Sequence, residues 1–387
     1  MPSGPALHSG LKMYDAIVIG VGGMGSAAAF HLARRGARIL ALEQFDIPHD
    51  LGSSHGISRI IRLAYWEHPD YVPLVQRAYE LWRDLEAVAG ERLLVVTGCI
   101  DAGDPRSINI IGVRDACRRF HLAHEEFDGP ALRTRFPGYR LPRGLVAILQ
   151  PAGGFLLPER CVVAHVEAAQ RAGADVRARE PVLGWDIQSD RVRVRTNRAT
   201  YAGARLLITA GAWTTSVATH TLGLLTPERQ VMLWSQPRVP ELFQVNNFPV
   251  FYIRVPEGGF YGFPIYGVPG MKIGKYHHRG GTVDPDTMNR QPDLEDEQVL
   301  REGIRRYFPD ADGPTMGMKT CLFTNTSDEH FIIDFLERDP RVAIAAGFSG
   351  HGFKFCSVVG EILADLALDG GTRHDISLFA MNRLTTS

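Results

Sequence analysis

Cysteine is scarce. There are five in 387 residues, at Cys99, Cys117, Cys161, Cys321 and Cys356. They are widely spaced, odd in number and show neither a CxxC pair nor any other metal-ligand spacing, which argues against a disulfide framework and a metal site. A reduced, intracellular protein without a metal is expected. No run of 18 apolar residues occurs, so no transmembrane helix is expected. Neither charge is in excess. Lys and Arg number 42 against 43 Asp and Glu, with no block of like charge, which disfavours a dedicated nucleic-acid binder. The first twelve residues, MPSGPALHSGLK, lack the basic and apolar regions of a signal peptide. The final LTTS is not a peroxisomal address, so a cytoplasmic location is expected. HExxH, GxSxG and P-loop patterns are missing, which disfavours zinc hydrolases, elbow-type serine hydrolases and P-loop NTPases. Internal repeats and low-complexity blocks are missing as well. At roughly 150 residues per domain, the length suggests two or three domains, or one large body with an insertion.

Against these absences, the chain opens with a strong local pattern. Tyr14–Gly20 is a short apolar run with the look of a buried strand. The turn Gly20-Val-Gly22-Gly-Met-Gly25 follows at once, then a helix over 26–35 that ends in Arg34, Arg35 and Gly36. A second strand over 38–43 ends in Glu43. Strand, glycine turn, helix, strand and acid make a dinucleotide fingerprint. Gly20 serves the tight turn, Gly22 the approach of a pyrophosphate and Gly25 close helix–strand packing. Glu43 suits a ribose hydroxyl and disfavours a 2′-phosphate, but does not separate NAD from FAD. A second glycine turn, GFSGHGFKF over 347–355, lies between an apolar strand (342–346) and an amphipathic helix (357–368). Its N–H groups, around Gly350 and Gly352, can face developing negative charge, which suits a reduced flavin better than a nicotinamide.

Arg59 and Arg62 are spaced to share one face of a helix expected to restart near residue 59, where they could hold a carboxylate or touch the cofactor, or be ordinary surface arginines. Lys272 and the tract Lys275-Tyr276-His277-His278-Arg279 form a basic cluster. Further helices are expected over 71–89, 158–172 and 293–307, with one in 95–152, and strands fill much of 228–278. The fold class is therefore α/β (α+β), a discontinuous Rossmann-like cofactor domain with an inserted β-rich substrate domain. Residues 1–91, 155–222 and 322–387 are assigned to the first, and 92–154 and 223–321 to the second.

Taken together, DAIVIGVGGMGSAAAFHLARRG, EQFD, GSSHGISRIIRLAY, YGFP, CLFTNTSDEHFIID and AAGFSGHGFKF resemble the monomeric sarcosine oxidase and N-methyltryptophan oxidase family. These are FAD-dependent amine oxidases of the D-amino-acid-oxidase-like superfamily. The resemblance runs from about residue 13 to about residue 382. It implies FAD attached covalently to a cysteine just before DEHFIID, a place Cys321 holds. It implies that Arg62 and Lys354 bind a substrate carboxylate, Lys354 also touching the cofactor, and that Arg59 lies against the flavin. Lys272 would sit above flavin N5, where its charge helps oxygen accept an electron. Tyr261 would line the substrate site, with Ser53 and His55 beside the flavin. The family also implies a histidine a few residues after Lys272. Its spacing is one residue shorter than the gap to His277, so either His277 reaches the site past an insertion, the reading preferred here, or Tyr276 takes the place. Phe323 stands where the member acting on sarcosine has tyrosine, which leaves the preferred amine open.

The implied reaction is oxidation of a secondary amine to an imine, hydrolysed to amine and aldehyde, with oxygen reduced to hydrogen peroxide. The partners would be a small amine and oxygen, and the protein a monomer. Sibling oxidases for a cyclic imino acid or a fructosyl amino acid are the near alternatives. An NAD-dependent dehydrogenase and a non-catalytic binding protein are the distant ones.

Overall fold

The computed structural model describes residues 13–336 and 339–384. The signal-peptide reading lies outside these residues, as does most of the C-terminal LTTS.

The opening apolar run forms the strand Met13–Ile19, in parallel with Ile39–Leu42 on one side and Thr200–Ile208 on the other. Asp175–Arg177 and Asp339–Ala346 extend the parallel set at its two ends. Strands buried on both faces read as continuous apolar runs. Here Ala16, Val18 and Ala41 turn to one core, and Ile17, Ile19, Leu40 and Leu42 to another. The first core is covered by four helices, of which Gly23–Arg34 and Tyr71–Ala89 each pack against both Pro158–Arg171 and Cys356–Asp369. The second is closed by the hairpin Val182–Ile187 and Val192–Thr196 and by the antiparallel strand Ile332–Leu336. The sheet thus draws on chain segments far apart in sequence, as a discontinuous Rossmann-like unit requires.

A second sheet runs in the order Thr315–Asn325, Thr226–Ser235, Met271–Tyr276, Gly258–Phe263, Val250–Val255, Cys99–Gly103, Val146–Gln150, Glu125–Asp128. It is antiparallel except where Val250–Val255 runs parallel to Cys99–Gly103. Leu300, Ile304 and Tyr307 of the helix Leu294–Tyr307 share its core with Phe251, Ile253 and Phe260.

Two expectations are corrected. The segment at Arg59 is a strand, Arg59–Ile61, antiparallel to Gly154–Leu156 in a small third sheet with Leu94–Val96. The β-branched pair Ile60-Ile61 favours that choice, so the shared helix face of Arg59 and Arg62 does not exist. The stretch 95–152 holds two helices where one was expected, Ile108–Arg119 and Gly129–Arg135.

Candidate active site

The first glycine turn opens into a cavity of about 300 Å³ lined by Gly20, Gly22, Glu43, Ser53, Gly350 and Gly352, among others. Gly25 stands behind the turn, where a Cβ would lie 1.8 Å from the Gly20 carbonyl oxygen. Only glycine lets the helix start so close to the strand. That helix has no cap from its own N-cap residue and no acid in its first turn, and of its first N–H groups Gly23 donates to Ser54 Oγ (3.1 Å), so its positive end faces the cavity with no negative charge beside it and suits a phosphate. Glu43 accepts the N–H groups of Val21 (2.8 Å) and Phe45 (3.1 Å). A carboxylate has about four lone-pair sites, so capacity remains for a ribose hydroxyl. Another lining residue, Thr324, has a buried hydroxyl with no hydrogen-bond partner. A helix start behind a glycine turn, beside an acid with spare acceptor capacity, fits a ligand that carries both phosphate and ribose, such as FAD.

A second cavity, of about 90 Å³, adjoins it. The two share Arg59, Cys321, Phe323, Gly350 and Phe353. Cys321 lies on the strand Thr315–Asn325, opposite Gln230, and Phe323 follows on the same face. Gly350 has φ 76°, and a Cβ there would stand 2.4 Å from the Phe323 ring. Arg59 Nη2 donates to the Ser53 carbonyl (2.8 Å) and lies 3.4 Å from Cys321 Sγ.

The smaller cavity is aromatic and charged. Trp66, Tyr252, Tyr261, Phe263 and Tyr276 supply its walls, and Arg62, Glu67 and Lys354 its charges. Arg62 Nη1 donates to Asp101 (2.7 Å) and Nη2 to both oxygens of Glu67 (2.9 and 3.0 Å). Burial works against the guanidinium's charge, but these two carboxylates hold its pKa above the ordinary arginine value. Lys354 Nζ donates to the His351 carbonyl (2.7 Å) and to Tyr65 Oη (3.3 Å). Burial, then Arg62, lowers the Lys354 pKa to about 7. His351 Nε2 faces the Glu329 carbonyl (3.0 Å), so Nε2 carries the proton and Nδ1 accepts from Tyr65 Oη (2.6 Å). Burial, then Lys354, keeps that imidazole neutral, with its pKa lowered to about 3.

Lys272 lines neither cavity. Its Nζ donates to the Gly56 carbonyl (2.7 Å), the Ser58 carbonyl (2.8 Å) and Ser58 Oγ (3.2 Å). Burial, then Arg59, pushes its pKa well down, while three oxygen acceptors suit an ammonium with three protons. Arg59 Nη1 shares the Ser58 carbonyl (2.9 Å), so the two cations are neighbours. From the other side, Glu159 accepts the Gly56 N–H (2.6 Å), and the loop that delivers Arg59 is held at both ends. His55 is buried behind this loop with both ring nitrogens unpartnered, and burial, then Arg59, lowers its pKa to about 3.

The preference for His277 is corrected. The strand Met271–Tyr276 ends one residue earlier, and Tyr276 lines the cavity with its hydroxyl on the Ser349 carbonyl. Tyr276 is four residues from Lys272 and so on the same strand face, whereas His277 falls on the other parity. His277 has a left-handed backbone (φ 56°) and a side chain 39% exposed, pinned between Glu228 (2.7 Å) and Glu329 (2.8 Å). The Lys354 side chain also stands in the smaller cavity alone, not in the larger one.

Sequence reasoning missed Tyr65, Glu67, Asp101 and Glu159. Asp101 alone left a trace, as a single acid inside the apolar strand Cys99–Gly103. Among the described residues no group of three His, Cys, Asp or Glu side chains could hold a metal, and no helix is long and apolar enough to cross a membrane.

Residues 15–366 match the family model described as FAD-dependent oxidoreductase (DAO). The chain is 42% identical to a monomeric sarcosine oxidase of Streptomyces avermitilis, across 97% of this chain and 98% of that one. It is 34% identical to an N-methyl-L-tryptophan oxidase of Yersinia pestis, across 96% and 99%. The solved structure of NikD, an unusual amino acid oxidase essential for nikkomycin biosynthesis, superposes with a TM-score of 0.82 at 27% identity, covering 95% of this chain and 97% of that one. The glycine cradle, the acid ending the second strand and the discontinuous parallel sheet agree with that match, and the chain belongs to the DAO-type FAD-dependent oxidoreductases, in the branch of the sarcosine and N-methyltryptophan oxidases.

Proposed function

We propose that this enzyme oxidises a small N-methyl amino acid, with sarcosine as the first candidate, to an imine that water hydrolyses to amine and aldehyde, oxygen being reduced to hydrogen peroxide. The supporting observation is the joint wall. A small cavity bearing Arg62 and Lys354 meets the cofactor-sized cavity at Arg59, Cys321, Phe323, Gly350 and Phe353. When bound, FAD would supply the redox chemistry, as acceptor of a hydride equivalent from the amine carbon and donor of two electrons to oxygen.

The chain's own residues bind and orient. Gly20, Gly22 and the helix start would hold the pyrophosphate, Glu43 the ribose, and Ser53, Gly350 and Gly352 the surroundings of the ring, with His55 backing the loop behind them. Arg62 and Lys354 receive the substrate carboxylate, which takes the place of Glu67 on Arg62 Nη2. Arg59 and Lys272 place positive charge beside the joint wall, where it favours electron transfer to oxygen. Positive charge here also disfavours a substrate ammonium and so eases loss of its proton. Tyr261, Tyr276 and Phe323 bound the substrate's shape, and the small volume favours sarcosine over a bulky amine. Cys321, facing both cavities, is assigned as the covalent attachment point. We read the protein as a cytoplasmic monomer, divided between cofactor and substrate units near residues 91, 154 and 222; the expected division at 321 moves past Asn325, because the strand Thr315–Asn325 lies wholly in the second sheet.

One spectrum tests this reading. The protein should be yellow, bleach with anaerobic sarcosine, and keep its colour in an acid-precipitated pellet. Cys321→Ala should release the colour to the supernatant. Colour released from the unaltered protein would remove the covalent claim alone. No bleaching by sarcosine, by N-methyltryptophan or by cyclic imino acids would overturn the substrate class.

A further inference from the structure

Arg62 is held by two carboxylates of different character. Glu67 lines the cavity and takes Nη2, the edge open to a ligand. Asp101 is fully buried behind the wall and takes Nη1. Its other oxygen accepts from Gln150 Nε2 (2.8 Å), and Gln150 Oε1 in turn accepts the Ala64 N–H (2.6 Å), two residues beyond Arg62. Asp101 sits on Cys99–Gly103 and Gln150 on the neighbouring strand, where Asp101 faces Ile148 and Cys99 faces Gln150. Asp101 is therefore locked by the sheet, by Gln150 and through it by the backbone that carries the arginine. Neither of its oxygens faces the cavity.

We propose that Asp101 is a positioning residue for substrate binding, the fixed counter-ion that keeps Arg62 aimed into the cavity while Glu67 gives way to the substrate carboxylate. This rests on the reading of Arg62 as the carboxylate receptor. Without Asp101, a guanidinium freed from Glu67 would keep only its place over the Tyr65 and Tyr252 rings (5.2 and 6.0 Å), which fixes no N–H direction, and could turn from the bound geometry. A neutral Asn cannot substitute. Its NH2 group would face either Arg62 or Gln150 Nε2, and Gln150 cannot flip without losing the Ala64 N–H.

The test uses flavin-loaded enzyme and two readouts. In Asp101→Asn, KM for sarcosine and Kd for acetate, the latter read from flavin absorbance, should each rise about tenfold or more. The limiting rate of flavin reduction should fall less than the binding constants rise. For N-methylethylamine, which has no carboxylate, kcat/KM should stay within about twofold of the unaltered enzyme, since uniform loss of structure would lower it too. Gln150→Leu, which keeps the Asp101 carboxyl but removes one of the bonds that fix it, should give a smaller rise of the same kind, and decides the matter if Asp101→Asn does not fold. Equal losses with both amines, or unchanged acetate binding, would overturn the proposal. Arg62→Ala separates the two ideas. If it leaves acetate binding unchanged, the carboxylate reading itself fails. If it weakens acetate binding while Asp101→Asn and Gln150→Leu do not, only the role of Asp101 fails.

Discussion

Lys354 shows how far a cavity can move one side chain from its solution behaviour. Burial and the Arg62 charge bring its pKa down to about 7, so its ammonium is fully present below that pH and lost above it. If the ammonium helps hold a carboxylate, KM for sarcosine should rise as pH increases through about 7, and the rise should flatten in Lys354→Met. A KM independent of pH between 6 and 8.5 in the unaltered enzyme would contradict this. That Lys354 lines the smaller cavity was legible because it lies in GFSGHGFKF, a turn punctuated by Gly347, Gly350 and Gly352. His277 was misread for the opposite reason. One extra residue in a strand exchanges the faces of everything after it, and the residue types Tyr276 and His277 both suited the site. Asp101 showed only as a lone acid in an apolar strand, and its role was beyond reach, because its partners Arg62 and Gln150 lie 39 and 49 residues away in sequence.

Helices were the most readable elements. The helix expected over 293–307 starts at Leu294, with Asp293 and Asp296 forming a reciprocal cap. Asp296 does more than cap. It accepts from Arg229 Nη1 and Nη2 (3.0 and 2.8 Å) and faces His278 Nε2 (2.9 Å). Burial opposes its charge, but the Arg229 bonds and the others hold its pKa far below the carboxylate range. Asp296→Ala should therefore cost about 3 kcal/mol, the range for stripping one partner from a buried pair, with a melting point several degrees lower. Glu167→Ala is the contrast, since Glu167 and Arg171 are more than half exposed and 3.8 Å apart, and no measurable change is expected. The short strand Arg59–Ile61 was misread as helix because three residues carry no periodicity. Its partner Gly154–Leu156 is remote in sequence, and that pairing decides its form.

At the scale of the molecule, the two large sheets were foreseeable as separate bodies, because parallel apolar runs and antiparallel strand-rich stretches differ in sequence texture. What joins them was not. Glu228 lies on the second sheet, in Thr226–Ser235, and Glu329 on the turn that leads into Ile332–Leu336 of the first. His277 bridges both carboxylates, and these hydrogen bonds, to Glu228 first and then Glu329, raise its pKa to about 9 from an ordinary 6.5. A histidine whose folded pKa is raised contributes its stability in full below about pH 6.5 and loses it as pH climbs through about 9. The site is more than a third exposed, so screening keeps the contribution on the order of 1 kcal/mol. Between pH 7 and 10 the unaltered protein should lose more melting temperature than His277→Gln does, by about 2 °C or less. Differential scanning calorimetry in matched buffers reads the difference directly. Identical pH dependence in the two proteins would mean that His277 does not clasp the sheets.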